Sequence, residues 1–171
     1  MTGEQANRPR LEKLQRSHDV DAFNCGQDNL NLYLTRYALM NQRADGAQTY
    51  VGVSGSKIIG YYTLVVGNVA YEDAPQRLTQ GLSRHPVPVM LLARLAVDLN
   101  WQSKGVGAGL LRDAMQRTVQ VADLAGLRAF LVHAKDGRAK SFYEHFDFAS
   151  SPTDPYHLFL LLKDIRKTMN D

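Results

Sequence analysis

The sequence holds a single cysteine, Cys25, among its 171 residues. One thiol excludes an internal disulfide framework and a cysteine-rich zinc site, and it suits a reducing compartment. Long apolar runs are missing too. None approaches the roughly 20 residues that a membrane-spanning helix needs, and the opening Met1-Thr-Gly-Glu-Gln5 has no hydrophobic signal core. The expectation is a cytoplasmic protein without membrane contact. Charge of one sign is also in short supply: 20 Lys and Arg face 17 Asp and Glu, a net of +3, which by itself selects no partner. Repeats, low-complexity tracts and linkers are absent. With 44% apolar residues, one domain over residues 1–171 is expected, burying roughly two-thirds of its extended-chain surface. No metal is expected.

What is present is organised around Arg94-Leu-Ala-Val97 running into Gln102-Ser-Lys-Gly-Val-Gly-Ala-Gly109. Val89 to Val97 is β-compatible and apolar except for Arg94, and Asp98, Asn100 and Ser103 supply turn chemistry. From Val106 the apolar spacing becomes helical: Val106, Leu110, Ala114, Thr118, Val121, Ala122. Gly105, Gly107 and Gly109 can bring backbone N–H groups up to an anion, where the helix dipole also favours negative charge. The stretch is therefore read as a diphosphate cradle. A P-loop would need Gly-Lys-Ser/Thr, but Lys104 precedes the first glycine; a dinucleotide fingerprint would need Gly-x-Gly-x-x-Gly, which this spacing does not provide.

Around this centre the remaining elements follow in order. Residues 1–16 are a polar lead-in or edge strand. Asp28 or Asn29 is expected to cap a helix carrying Leu30, Leu34, Tyr37 and Ala38, ended by Ala44-Asp-Gly-Ala47. Thr49–Val53 and Lys57–Ala70 form a hairpin about Ser54-Gly-Ser56, with Gly60 and Gly67 as bulge or bend points. A loop of about 18 residues, Tyr71 to Pro88, precedes the central strand. The helix from Val106 is expected to run to about Ala125, ended by Gly126. Ala129–His133 is a buried strand, Asp136 caps a helix with Ala139, Phe142, Tyr143 and Phe146 on one face, and His157–Lys163 is the last strand before a short charged helix.

Gln102-Ser-Lys-Gly-Val-Gly107 resembles the Gln/Arg-x-x-Gly-x-Gly/Ala loop that binds the coenzyme A pyrophosphate in the GNAT acetyltransferase superfamily. Ala139-Lys-Ser-Phe-Tyr-Glu-His-Phe-Asp-Phe148 is similar to that superfamily's second signature, with Asp147 where glycine is usual. Phe23-Asn-Cys-Gly26, Ile59-Gly-Tyr-Tyr62, Leu92-Ala-Arg-Leu-Ala-Val97 and Ser151-Pro-Thr-Asp-Pro155 further resemble the acetyltransferase toxins of bacterial toxin–antitoxin modules. The resemblance implies a GNAT fold of α/β (α+β) class: a central mixed, mostly antiparallel sheet with a splay between two parallel central strands and helices on both faces. It implies acetyl-CoA as cofactor, held by Leu95, Ala96, Val97, Gln102, Ser103, Lys104, Gly105, Val106, Gly107, Ala108, Gly109, Ala134 and Lys140. Tyr143 corresponds to the tyrosine that protonates the departing thiolate.

It implies also that the acceptor is the α-amine of an aminoacyl-tRNA, so that acetylation blocks translation, and that a ribbon-helix-helix antitoxin is the cognate partner. Arg36, Arg43, Arg84, Arg94 and Arg138 are the expected nucleic-acid contacts, and a homodimer is compatible with a tRNA footprint. Two other readings stay open: acetylation of a small amine or protein N-terminus, and a non-catalytic acyl-CoA-binding regulator. No general base is nominated. His85, His133 and Glu144 have the right chemistry, but His133, in an apolar strand, reads as a satisfied core histidine.

Overall fold

A computed structural model describes residues 9–170. Its seven strands are β1 (Arg10–Lys13), β2 (Gln48–Ser54), β3 (Lys57–Val69), β4 (Val87–Val97), β5 (Ala129–His133), β6 (Ala149–Ser150) and β7 (His157–Leu161). They hydrogen-bond in the order β1-β2-β3-β4-β5-β7-β6. β4 and β5 pair in parallel, over Val89–Leu92 and Ala129–Val132; β1–β2, β2–β3, β5–β7 and β6–β7 are antiparallel. Helices α1 (Asp28–Leu32), α2 (Ala38–Arg43), α3 (Gln76–Thr79), α4 (Val106–Ala122), α5 (Gly137–His145) and α6 (Leu162–Asn170) flank the sheet. The mixed, mostly antiparallel class expected from the sequence is what forms. The residues of the lead-in before Pro9 lie outside the described residues.

The chain groups into two compact units, each discontinuous in sequence. One comprises the residues up to Val65 with Ala93–Ala114; the other comprises Val66–Leu92 with the residues from Met115 on. The first has a core of Leu14, Phe23, Leu34, Val51, Ile58, Tyr61 and Ala96. Here β3 is buried continuously from Ile58 to Leu64, on both faces, and the one hydroxyl in that run without an aromatic ring, Thr63 Oγ1, is paired with Thr49 Oγ1 at 2.8 Å. The second has a core of Ala74, Leu78, Val87, Val89, Ala129, Leu131 and Phe159. Arg128 ties α3 to it, donating from Nε to the Leu78 carbonyl and from Nη2 to that of Gln80.

Several boundaries differ from the sequence reading for identifiable reasons. The first helix is interrupted by a π segment, Tyr33–Tyr37, between α1 and α2. Its N-cap is Gln27, without a side-chain bond, so Asp28 is the first helical residue and not the cap. The hairpin bulge falls beside Gly60 and not on it: Gly52 pairs with Gly60 and Val53 with Ile58, so Ile59 is the extra residue. α4 stops at Ala122, three residues early, and its last turn closes through Ala125 N–H to the Val121 carbonyl. β7 ends at Leu161, where α6 begins.

Gly60 has a spatial reason. A Cβ there would sit 2.8 Å from Leu110 Cδ1 and 3.0 Å from the Ala96 carbonyl oxygen. Its bare backbone lets α4 and the end of β4 approach β3. Gly60→Ala is expected to cost about 1–3 kcal/mol by overpacking, read as a lowered denaturation midpoint; an unchanged midpoint would show that the contact relaxes freely.

Candidate active site

The first unit contains the glycine-rich loop. β4 continues through Ala93–Val97 beyond the last residue paired with β5, Leu92. A 3-10 turn, Leu99–Trp101, and an exposed tetrapeptide then lead into α4. Ser103 and Gly105 adopt left-handed backbone, with φ of +62° and +83°. Two such residues within three positions reverse the chain tightly, at a cost for serine and none for glycine. The Gly105 carbonyl accepts from the Gly109 N–H as the first α4 bond, so the N–H groups of Val106, Gly107 and Ala108 point out of the helix end without intrahelical partners. A Cβ on Gly105 or Gly109 would meet nothing within 4 Å. Open space, outward N–H groups and the positive helix end together fit a diphosphate. Lys104 adds charge, its Nζ 5.4 Å from the Trp101 ring centroid.

The loop is held from behind. The Gln102 side-chain amide donates to the carbonyls of Val97 (3.0 Å) and Cys25 (3.2 Å), so this residue positions the loop and its side chain is not directed to an anion. Asp98, which the sequence marked only as turn chemistry, is 2% exposed. Its carboxylate accepts from the N–H groups of Asn24 and Asn100, at 3.2 and 3.0 Å, and Lys57 Nζ stands 3.9 Å away. An acid directly after an apolar strand was the only available signal for this anchor. Arg94 has an internal partner: its guanidinium lies 3.6 Å from the centroid of the buried Tyr33 ring. Arg36 and Arg43 are exposed.

The second unit contains Tyr143, Ala134, Lys140, Arg84 and Arg138. α5 starts where Asp136 accepts from the Ala139 N–H at 2.8 Å and ends at His145, with Phe146 as its C-cap; Asp147 follows in left-handed backbone, and its φ of +71° explains why this position is glycine in the related motif. Tyr143 is 6% exposed. Its ring packs edge-on against Phe142 and Phe148, at 5.1 and 5.5 Å, and Phe148 meets Phe130 of β5. Burial pushes the Tyr143 hydroxyl well above the usual phenol range, which keeps it protonated and neutral. Ala134 is buried, with its N–H on the Tyr156 carbonyl at 2.8 Å, and Lys140 Nζ lies 5.6 Å from the Tyr156 ring centroid. Arg84 and Arg138 are exposed.

His133 departs from its expected place. It is not a core residue: it is exposed at the end of β5 and stacks on His157 of β7, centroids 3.9 Å apart and planes 15° from parallel. The apolar run before it could not reveal this, since four buried residues precede one that emerges. No group of three or more His, Cys, Asp or Glu among the described residues is arranged to hold a metal ion, and no described helix is long and apolar enough to cross a membrane.

The acetyltransferase (GNAT) domain model matches residues 45–150. The chain belongs to the GNAT acetyltransferase family. It is thus an acyltransferase by family, and the loop and α5 carry the two signatures of that family. A Mycobacterium tuberculosis (strain ATCC 25618 / H37Rv) protein named tRNA-acetylating toxin is 46% identical over 159 residues, 93% of this chain and 95% of that protein. Among solved GNAT structures, AtaT complexed with acetyl-methionyl-tRNAfMet superposes with a TM-score of 0.87 at 25% identity, covering 94% of this chain and 99% of that one. AtaTR bound with AcCoA superposes at 0.83 with 26% identity, covering 95% and 98%.

Proposed function

We propose that this protein is the toxin of a toxin–antitoxin module, which uses acetyl-CoA to acetylate the α-amine of an aminoacyl-tRNA and so blocks translation. The observation that carries the reading is the 46% identity to a tRNA-acetylating toxin across 93% of the chain. A cognate antitoxin of ribbon-helix-helix type is the expected partner, and the cytoplasm, where charged tRNA is found, the expected location. Residues 1–171 would then act as one catalytic domain, with dimerisation an option for the tRNA footprint.

Acetyl-CoA, when bound, supplies an acetyl group activated as a thioester. The chain's own residues do the rest. The outward N–H groups at the start of α4 hold the pyrophosphate oxygens, with Ser103, Lys104 and Gly105 forming the turn beneath them and Gln102 and Asp98 bracing it. Backbone N–H groups at Leu95–Val97 polarise the carbonyl, a preorganised donor of this kind contributing roughly 3 kcal/mol. Ala134 and Lys140 line the pantetheine arm. Tyr143 keeps a proton at its hydroxyl and gives it to the departing sulfur. Arg36, Arg43, Arg84 and Arg138 remain available to phosphates; Arg94, engaged with Tyr33, acts through packing.

The deciding experiment offers acetyl-labelled coenzyme A to total charged tRNA, uncharged tRNA and a lysine-rich peptide. Label on charged tRNA alone supports the reading; label on the peptide moves the function to a protein or small-amine acceptor. Reversing Arg36, Arg84 and Arg138 to Glu is expected to weaken tRNA binding at least tenfold and flatten its salt dependence by about 0.9 per lost phosphate contact, with acetyl-CoA affinity unchanged. Unaltered tRNA affinity in all three variants would remove these arginines from the interface.

A further inference from the structure

The stretch Phe23-Asn-Cys-Gly26 takes no part in the transfer step, but the first unit packs it directly against the glycine-rich loop. Its residues alternate in burial. Phe23 and Cys25 are buried, and Phe23 meets the Tyr61 ring edge-on at 5.6 Å; Asn24 and Gly26 are exposed. The backbone of the stretch bonds to the loop. The Leu99 N–H donates to the Asn24 carbonyl at 2.8 Å, the Asn24 N–H donates to Asp98 Oδ2 at 3.2 Å, and Gln102 Nε2 donates to the Cys25 carbonyl at 3.2 Å. Gly26, at φ +86°, approaches so closely that a Cβ there would stand 3.0 Å from Leu99 Cδ2.

Asn31 of α1 closes this turn from the other side. Its Oδ1 accepts from the Cys25 N–H at 2.9 Å, and its Nδ2 donates to Asn24 Oδ1 at 3.0 Å. Asn24 Oδ1 also accepts from the Gly26 N–H at 2.9 Å. A backbone N–H can only donate, which fixes the orientation of both amides. Asn31 must serve as acceptor and donor, whereas the Asn24 side chain is used as an acceptor alone.

We propose that Asn31 is a positioning residue for acetyl-CoA, acting through Asn24–Gly26 and Gln102 to hold the pyrophosphate loop in its binding form. The inference rests on the assignment of that loop to the pyrophosphate. The loop needs bracing because Ser103 holds φ at +62°, a conformation that an L-residue leaves when nothing opposes it. Without the brace the fraction of molecules with a competent loop falls, and the apparent Kd rises by the reciprocal of that fraction. Saturating cofactor refills the competent state, so kcat is spared.

Calorimetric titration of the full chain with acetyl-CoA tests the relay without any acceptor. Asn31→Ala is expected to raise Kd roughly five- to fiftyfold, as the loss of two hydrogen bonds at their usual net value implies, and Gln102→Ala by a similar factor. Both act on one chain of bonds, so the double variant should fall well short of the product of the two factors. A second pair of variants separates bonding from charge. Asn24→Asp and Asn31→Asp add the same charge to the same turn, but the first keeps the acceptor that the turn uses, while the second removes the donor and sets oxygen against oxygen. Asn31→Asp should bind at least roughly fivefold more weakly than Asn24→Asp. In turnover, with whichever acceptor the enzyme labels, Asn31→Ala should raise the KM for acetyl-CoA and leave kcat within about twofold. Thermal melts show which variants are folded; if Asn31→Ala is not, the two aspartate variants decide. The relay is overturned by an unchanged Kd in Asn31→Ala where Gln102→Ala weakens binding, by factors that multiply in the double variant, by equal affinities of the two aspartate variants, or by a fall in kcat at constant KM. Unchanged binding in both Gln102→Ala and Gly105→Val would instead refute the loop assignment on which the relay stands.

Discussion

Tyr143→Phe is expected to lower kcat for acetyl transfer by roughly 10²–10⁴-fold, the usual range for a general acid, with acetyl-CoA affinity little changed. The phenylalanine ring preserves the edge-on contacts with Phe142 and Phe148, so the substitution removes the hydroxyl and leaves the packing. Folding should be unaffected for the same reason, which a thermal melt checks. The burial that raises the hydroxyl pKa has a second consequence. The proton stays on the tyrosine well above neutral pH, so any loss of activity in the mildly alkaline range comes from another group. Retention of more than a tenth of wild-type turnover would mean that sulfur leaves without help from this residue.

Gly105→Val is expected to weaken acetyl-CoA binding by roughly ten- to a hundredfold, 1.4 kcal/mol per decade. Gly105 holds φ at +83°, where an L-residue pays about 1–2 kcal/mol and a β-branched one pays most. Valine would therefore drive the turn out of its left-handed conformation, moving the first N–H groups of α4 away from the pyrophosphate. Nothing lies within 4 Å of the added Cβ, so no clash with the protein contributes. The effect should appear in calorimetric titration with acetyl-CoA, and tRNA affinity should not follow it. Unchanged titration would show that the cradle does not depend on this turn.

Much of this was legible from the residues. Ala129–His133 forms a strand over the residues expected, because five consecutive β-compatible residues between Gly126 and Asp136 leave little choice. Asp136 and Val106 mark helix starts through capping and a change of apolar period, and both signals are local. What was hidden depends on contacts distant in sequence. Arg94 looked like a charge in search of a nucleic acid until Tyr33 appeared beneath it. Asp98 looked like a turn residue until its backbone partners at Asn24 and Asn100 were in view. β6 has two residues and exists only because β7 pairs with it. The bulge at Ile59 was displaced by one position, since glycine marks where backbone can bend or approach but not which neighbour carries the extra residue.

The π segment Tyr33–Tyr37 spends one residue more per turn than the helices on either side. A single deletion there would restore ordinary i to i−4 bonding, yet would turn α1 about 100° relative to α2. Leu30, whose carbonyl accepts from the Tyr61 hydroxyl at 2.7 Å, would swing off its partner, while Tyr33 would lose either its stack on Tyr61 or its place under Arg94. Chain length, more than side-chain identity, is therefore the inherited quantity at this point: among related chains, substitutions can accumulate across the segment where insertions and deletions cannot.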